Sequence, residues 1–148
     1  MLSHFYLRNG TVYIPTVVRL ETGAYQDIDP VAVVAVVNSE RLQHALSDAI
    51  TRENMIVPPP PKDNWPPPVL LKYAGAKTWS AFARGTLTWN IEETDGTYRI
   101  IGHRVHPDGY WVRDPDQTTN VSPGTALDDV IGRIITILQE AARRPKGA

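Results

Sequence analysis

The stretch Trp79-Ser80-Ala81-Phe82-Ala83-Arg84-Gly85-Thr86-Leu87-Thr88-Trp89-Asn90-Ile91 carries the reading of the fold. Its odd positions are Trp79, Ala81, Ala83, Gly85, Leu87, Trp89 and Ile91; its even ones are Ser80, Phe82, Arg84, Thr86, Thr88 and Asn90. Successive side chains of a strand point to opposite faces, so this alternation predicts one long half-buried strand from 79 to 91. Asp95-Gly96 suits a two-residue hairpin turn. That turn sets Ile91 opposite Ile100 and Glu92 opposite Arg99. The returning strand, Thr97 to Val105, runs into His106-Pro107-Asp108-Gly109-Tyr110, where proline presets φ and glycine releases the chain. Tyr110-Trp111-Val112-Arg113 then forms the third strand of a β-meander.

Towards the N-terminus, His4-Phe5-Tyr6-Leu7 and Thr11-Val12-Tyr13-Ile14 flank Arg8-Asn9-Gly10, and Asn-Gly between apolar runs is a strong hairpin signal. Pro15 cannot donate to a ladder, which predicts an edge position. Gly23 marks a further turn, and Val31 to Val37 reads as a buried strand rich in β-branched residues. Asn38-Ser39 offers a helix N-cap, and Leu42, Ala45, Leu46, Ala49 and Ile50 share one helical face, ending near Arg52.

Between the halves lies a proline segment, about 55–68, with Pro58-Pro59-Pro60-Pro61 and Pro66-Pro67-Pro68 around Trp65. Polyproline II is the expected conformation. Either it is a stiff connector pinned by Trp65, or it is a ligand for a proline-reading domain. The last helix runs from about Ala126 to Arg144. Thr125-Ala126-Leu127-Asp128 resembles a capping box, Asp128 and Asp129 suit the positive end of the helix dipole, and the apolar stripe is Leu127, Val130, Ile131, Ile134, Ile135, Leu138 and Ala142. Arg143-Arg144-Pro145-Lys146 reads as a frayed helix end. The expected class is α+β: an antiparallel β-sheet, made of an N-terminal hairpin plus a C-terminal β-meander, with two amphipathic helices packed on one face.

The 148 residues match one domain, 1–148. The chain has no cysteine, which excludes disulfides, thiolate-bound metal and thiol catalysis. Fifteen Lys and Arg against sixteen Asp and Glu give a formal charge of −1. A nucleic-acid binder carries a basic excess, so no direct nucleic-acid partner is expected. The N-terminus lacks a signal-peptide pattern, and the longest apolar run, Val31 to Val37, is too short to span a bilayer; the expectation is a cytoplasmic protein without a membrane partner.

No catalytic motif emerges. His103 and His106 are three apart, and on a strand such residues face opposite ways, against a shared metal. Gly75-Ala76-Lys77-Thr78 ends like a phosphate-binding loop, but Leu71 and Ala76 stand where that loop needs glycine. Glu92 and Glu93 lie back to back, while Asp114-Pro115-Asp116 and Asp27-Ile28-Asp29-Pro30 read as loop and turn residues. A small ribonuclease-like enzyme built from His103 and His106 with Arg104 and Arg113 is conceivable, if a bulge brings the two imidazoles together.

The sheet face away from the helices is the more informative surface. With Leu87, Trp89 and Ile91 turned to the helices, the opposite face carries Phe82, Arg84, Arg99, His103, Trp111 and Arg113. Aromatics and arginines of this kind concentrate at interface centres. The alternative is that the proline segment or the N-terminal strands cover that face. The expected partner-binding set is Phe82, Arg84, Arg99, His103, Trp111 and Arg113, with the carboxylates Asp108, Asp114 and Asp116 available to meet cationic groups. No catalytic residues, metal or cofactor are expected.

Arg8-Asn9-Gly10-Thr11-Val12-Tyr13-Ile14-Pro15, Leu71-Lys72-Tyr73-Ala74, Lys77-Thr78-Trp79 and Pro107-Asp108-Gly109-Tyr110-Trp111 resemble segments of immunity proteins that accompany bacterial contact-dependent growth-inhibition toxins. The resemblance implies a non-catalytic cytosolic partner that binds and blocks a toxin domain, one class of which are nucleases, and it carries over no catalytic residues. The other readings are a structural or adaptor subunit of a bacterial assembly, which would copurify with several chains or self-associate through the edge strand that bears Pro15, and the histidine enzyme above.

Overall fold

The computed structural model describes residues 1–144, so Pro145 and Lys146 of the basic run lie outside the described residues. Strands β1 (Leu2–Arg8), β2 (Thr11–Leu20) and β3 (Tyr25–Ala35) lead into helix α1 (Ser39–Thr51). A two-residue strand β4 (Ile56–Val57), two short helices α2 (Leu70–Ala74) and α3 (Trp79–Ala83), and strands β5 (Thr86–Thr94), β6 (Thr97–Val105) and β7 (Trp111–Asn120) precede helix α4 (Leu127–Arg143). The sheet order is β3-β2-β1-β5-β6-β7, antiparallel throughout, with β4 parallel beside β2. This is the expected α+β class. Among the described residues no helix is long and apolar enough to cross a membrane.

Both hairpin turns form as the glycine pairs dictate. Asn9 and Gly10 have φ of 50° and 77°, Asp95 and Gly96 of 51° and 76°, the left-handed pair that a two-residue turn between twisted strands requires. The second turn sets Ile91 against Ile100 and Glu92 against Arg99.

Helices α1 and α4 cover one face. Leu42, Leu46 and Ile50 of α1 and Val130, Ile131, Ile134, Ile135 and Leu138 of α4 are buried against Phe5, Leu7, Val12, Ile14, Trp89, Ile91 and Ile100. Each such side chain contributes roughly 1.5–3 kcal/mol by leaving water. Asn38 caps α1, its side chain accepting from the Arg41 amide at 3.1 Å. At α4 the expected capping box does not form: Ala126 is the N-cap without a side-chain bond, and Thr125 bonds back to Ser122. Ala141 rather than Ala142 completes the buried stripe.

Residues 79–91 do not form one strand. The Thr78 hydroxyl caps a helical turn by accepting from the Ala81 amide at 3.1 Å, and Gly85, with φ of 74°, redirects the chain into β5. Trp79, Phe82 and Ala83 stand at i, i+3 and i+4, so one helical turn also gathers them on one side. The even-numbered Phe82 and odd-numbered Ala83 are both buried. Leu87, expected against the helices, is 38% exposed.

Other expectations change for related reasons. The strand expected to be buried at Val31–Val37 falls at the end of the sheet's outer strand β3 and in the turn after it, and burial alternates: Val34 and Val36 are buried while Val33 and Val37 are exposed. Pro15 is not on an outer strand, and the outer strands of the sheet are β3 and β7. The β1–β2 ladder ends at Tyr6–Tyr13, and the β2–β3 register shifts after Pro15. Proline's missing donor therefore falls where β1 has already parted from β2. Asn54 fills the gap: its side chain accepts from the Leu2 amide at 2.8 Å and donates to the carbonyls of Leu2 at 2.9 Å and Val17 at 3.0 Å. Nor is the proline segment a straight rod pinned by Trp65. It turns at Lys62-Asp63, the Asn64 amide bonding Pro61 O at 2.9 Å, and Trp65 is 55% exposed.

Candidate functional site

The sheet's second face is half covered, by α2 and α3 rather than by the proline segment. Tyr6 and Tyr13 pack there with Leu70 and Phe82, joined by Trp79 and Trp111. Trp79 and Trp111 meet edge to face at 5.4 Å, and Tyr6 lies 6.0 Å from Trp111, geometries that the charge distribution of aromatic rings favours. Arg8 anchors this cover. Its Nη1 donates to the carbonyls of Phe82 at 2.9 Å and Arg84 at 2.6 Å, closing the end of α3 onto the end of β1.

Phe82 is fully buried in this second core, and so its assignment as a partner contact is corrected. The alternation that suggested an exposed Phe82 assumed a strand where a helical turn forms. Arg84 is exposed at the C-cap of α3, away from the strands it was grouped with. The structure does bring His103, Trp111 and Arg113 together. His103 pairs with Arg113 and Val105 with Trp111 across β6 and β7, on the face away from α1 and α4. Arg113 Nη2 donates to Glu92 Oε1 at 2.7 Å, while Arg99, on the same face, is exposed. His103 Nδ1 and Trp111 Nε1 are buried and bond no protein atom among the described residues. Burial holds the His103 imidazole below its usual range, with the charge of Arg113 acting in the same direction.

Histidines 103 and 106 do not converge. His106 stacks on Tyr110 at 4.5 Å in the β6–β7 turn, where its Nδ1 accepts from the exposed Asp108 amide at 3.1 Å. The carboxylates Asp114 and Asp116 lie within β7, not in a separate loop. The register passes from Ile101–Thr118 to His103–Arg113, so residues 114–117 bulge opposite Gly102. Asp114 is occupied internally: Gln117 Nε2 donates to Oδ2 at 2.8 Å and the Asp116 amide to Oδ1 at 3.1 Å, bonds that lower its pKa. Asp116 is exposed on the bulge.

Sequence reasoning missed the cluster on the other side of the aromatic cover. Asp27, placed in β3 rather than in a turn, receives the Tyr6 hydroxyl on Oδ2 at 2.6 Å and has His4 Nδ1 at 2.6 Å from Oδ1. His4 and Tyr6 alternate onto the second face of β1, and only the pairing of β3 with β2 brings Asp27 to them. Burial first, and the adjacent carboxylate second, hold the Tyr6 phenol well above its usual pKa. Asp27 also lines a cleft of about 780 Å³ between β3 and the chain from Trp65 to Lys72, lined as well by Lys77 and Trp79. At its mouth Asp29 is bonded by Lys72 Nζ at 2.6 Å and by the Tyr73 hydroxyl. The Lys72 bond is the main reason the Asp29 carboxyl titrates below its usual range.

No protein-family model matches the sequence, and no curated protein matches it either. The fold has full-length counterparts among solved structures. One is a protein of unknown function from Neisseria meningitidis, with TM-score 0.67, 16% identity, and 96% of this chain and 94% of that chain covered. Another is a chain of the CdiA-CT/CdiI toxin and immunity complex from Yersinia pseudotuberculosis, with TM-score 0.63, 13% identity and 97% of each chain covered. At these identities the likeness is one of fold alone.

Proposed function

We propose that this chain is a non-catalytic immunity protein that binds a cognate bacterial toxin domain and blocks it by steric occlusion. The observation that carries this reading is the end-to-end fold likeness to a chain of a toxin–immunity complex. The segments around Arg8–Pro15 and Pro107–Trp111 point to the same class from residues alone. The contact surface is the open part of the second face: Arg99, His103, Trp111 and Arg113, with Arg84 at one margin and Asp108, Asp114 and Asp116 at the β7 side. The exposed Arg99, Arg113, Asp108 and Asp116 there supply complementarity and steering, while the half-buried Trp111 supplies contact area.

A binding role is favoured over catalysis by the way the titratable groups are used. His4 and Tyr6 both engage Asp27, Asp114 caps its own bulge, and His106 stacks in a turn. The test is co-expression with the C-terminal domain of the protein encoded immediately upstream. Rescue of cells from a lethal domain supports the reading. A harmless upstream domain, or one equally lethal with this chain present, overturns it.

A further inference from the structure

We propose that the cleft beside β3 is an anchor site for an arginine side chain of a protein partner, its guanidinium lying against the tryptophan walls and facing Asp27. The proposal names one contact of the inhibitor reading above and rests on it. Three observations converge on this ligand chemistry. The volume, about 780 Å³, lies within the range of roughly 300–1,000 Å³ typical of binding clefts. Its walls are aromatic and open: Trp65 is 55% and Tyr25 42% exposed, and Trp79 lines it as well. Its charged groups are Asp27, Asp29, Lys72 and Lys77, and acceptors gather on the side of Asp27. Pro66, Pro67 and Pro68 bring carbonyls and no N–H, and Asp27 brings a carboxylate.

The carboxylate can take a further donor. Tyr6 and His4 occupy two positions, and an ionised carboxylate offers about four. The Asp27 side chain is 13% exposed, so its charge is poorly screened by water. Asp29 and Lys72 cancel one another at the mouth. Lys77, the other lysine of the lining, is exposed to solvent, which screens it, and Asp27 keeps His4 at 2.6 Å on its far oxygen. A donor-rich, planar cation that stacks on indoles fits this set, and a guanidinium is that group. A carboxylate guest would have Asp27 behind it.

The experiment titrates the ¹⁵N-labelled full chain with N-acetyl-arginine amide, following the tryptophan Nε1–H resonances. Saturable shifts are expected for Trp65 and Trp79, with the buried Trp89 unmoved. N-acetyl-norleucine amide, an uncharged aliphatic control, should leave all of them in place. Asp27→Asn should weaken arginine binding about tenfold. Trp65→Ala, at an exposed position that leaves both cores intact, should weaken it about threefold. Absence of a saturable shift, an equal response to norleucine, or unchanged affinity in both Asp27→Asn and Trp65→Ala overturns the assignment. The probe needs no toxin, so the two readings fail separately. Toxin rescue without arginine binding removes only the anchor site, and arginine binding without rescue removes only the inhibitor reading.

Discussion

The Tyr6 hydroxyl donates a 2.6 Å hydrogen bond to Asp27 Oδ2 across the strand that separates β1 from β3. One bond thus ties the sheet's outer strand to its centre, beneath the aromatic cover. Removing the hydroxyl leaves the carboxylate with one donor fewer, so Tyr6→Phe should cost about 1–3 kcal/mol at neutral pH. The pH dependence is a second signature. In the unfolded chain the phenol titrates near 10.0, and in the folded protein well above it. Its contribution is complete below pH 10, and above that the unfolded state binds fewer protons, so stability falls as pH rises. Urea denaturation from roughly pH 8 to 11 should show that loss in the parent and a shallower one in Tyr6→Phe. Equal slopes would contradict the assignment.

His103 predicts the opposite limb. Burial, with Arg113 and His4 contributing like charge, depresses its pKa from 6.5. The unfolded chain therefore takes up a proton first as pH falls. Stability is complete above pH 6.5 and lost as acid reaches the folded value. Replacement by Gln should flatten the profile in the window just below pH 6.5. A parent protein with no slope in that window would show that His103 is freely solvated.

Gly102 has no room for a side chain. A Cβ there would sit 2.5 Å from Gln117 Cβ and 2.9 Å from its carbonyl oxygen. The bulge of β7 folds down onto this glycine, so Gly102→Ala must push residues 114–117 outward. The expected cost is about 1–3 kcal/mol in the urea midpoint, with exchange broadening of Asp114–Thr118 amides. A substitution without effect would mean the bulge does not rest on Gly102.

Asn54 predicts a localised loss. Its side chain serves three backbone groups of Leu2 and Val17. Asn54→Ala should cost about 2–3 kcal/mol and speed hydrogen exchange at the Leu2 amide, while α1 and α4 stay protected. Uniform loss of protection would point instead to global unfolding.

The legible parts of the fold were those written in local chemistry. Asn9-Gly10 and Asp95-Gly96 dictate left-handed turns, and the second fixes the Ile91–Ile100 register. Asn38 and the Leu42–Leu46–Ile50 stripe define α1. Residues 79–83 were misread because a five-residue run satisfies period 2 and one helical turn at once; Thr78 before it and Gly85 after it were the available signals. Of the proposed contact surface, His103, Trp111 and Arg113 do come together, as meander pairing implies. Asp27 was not legible as part of a cluster, because no local pattern says that position 27 reaches positions 4 and 6.

The immunity reading stands or falls on calorimetric titration of this chain into the purified C-terminal domain of the protein encoded immediately upstream. The account predicts a one-to-one complex with nanomolar or tighter affinity, weakened about tenfold or more by Trp111→Ala once that variant is shown to fold. Absence of binding at micromolar concentrations, with both proteins folded, would contradict it.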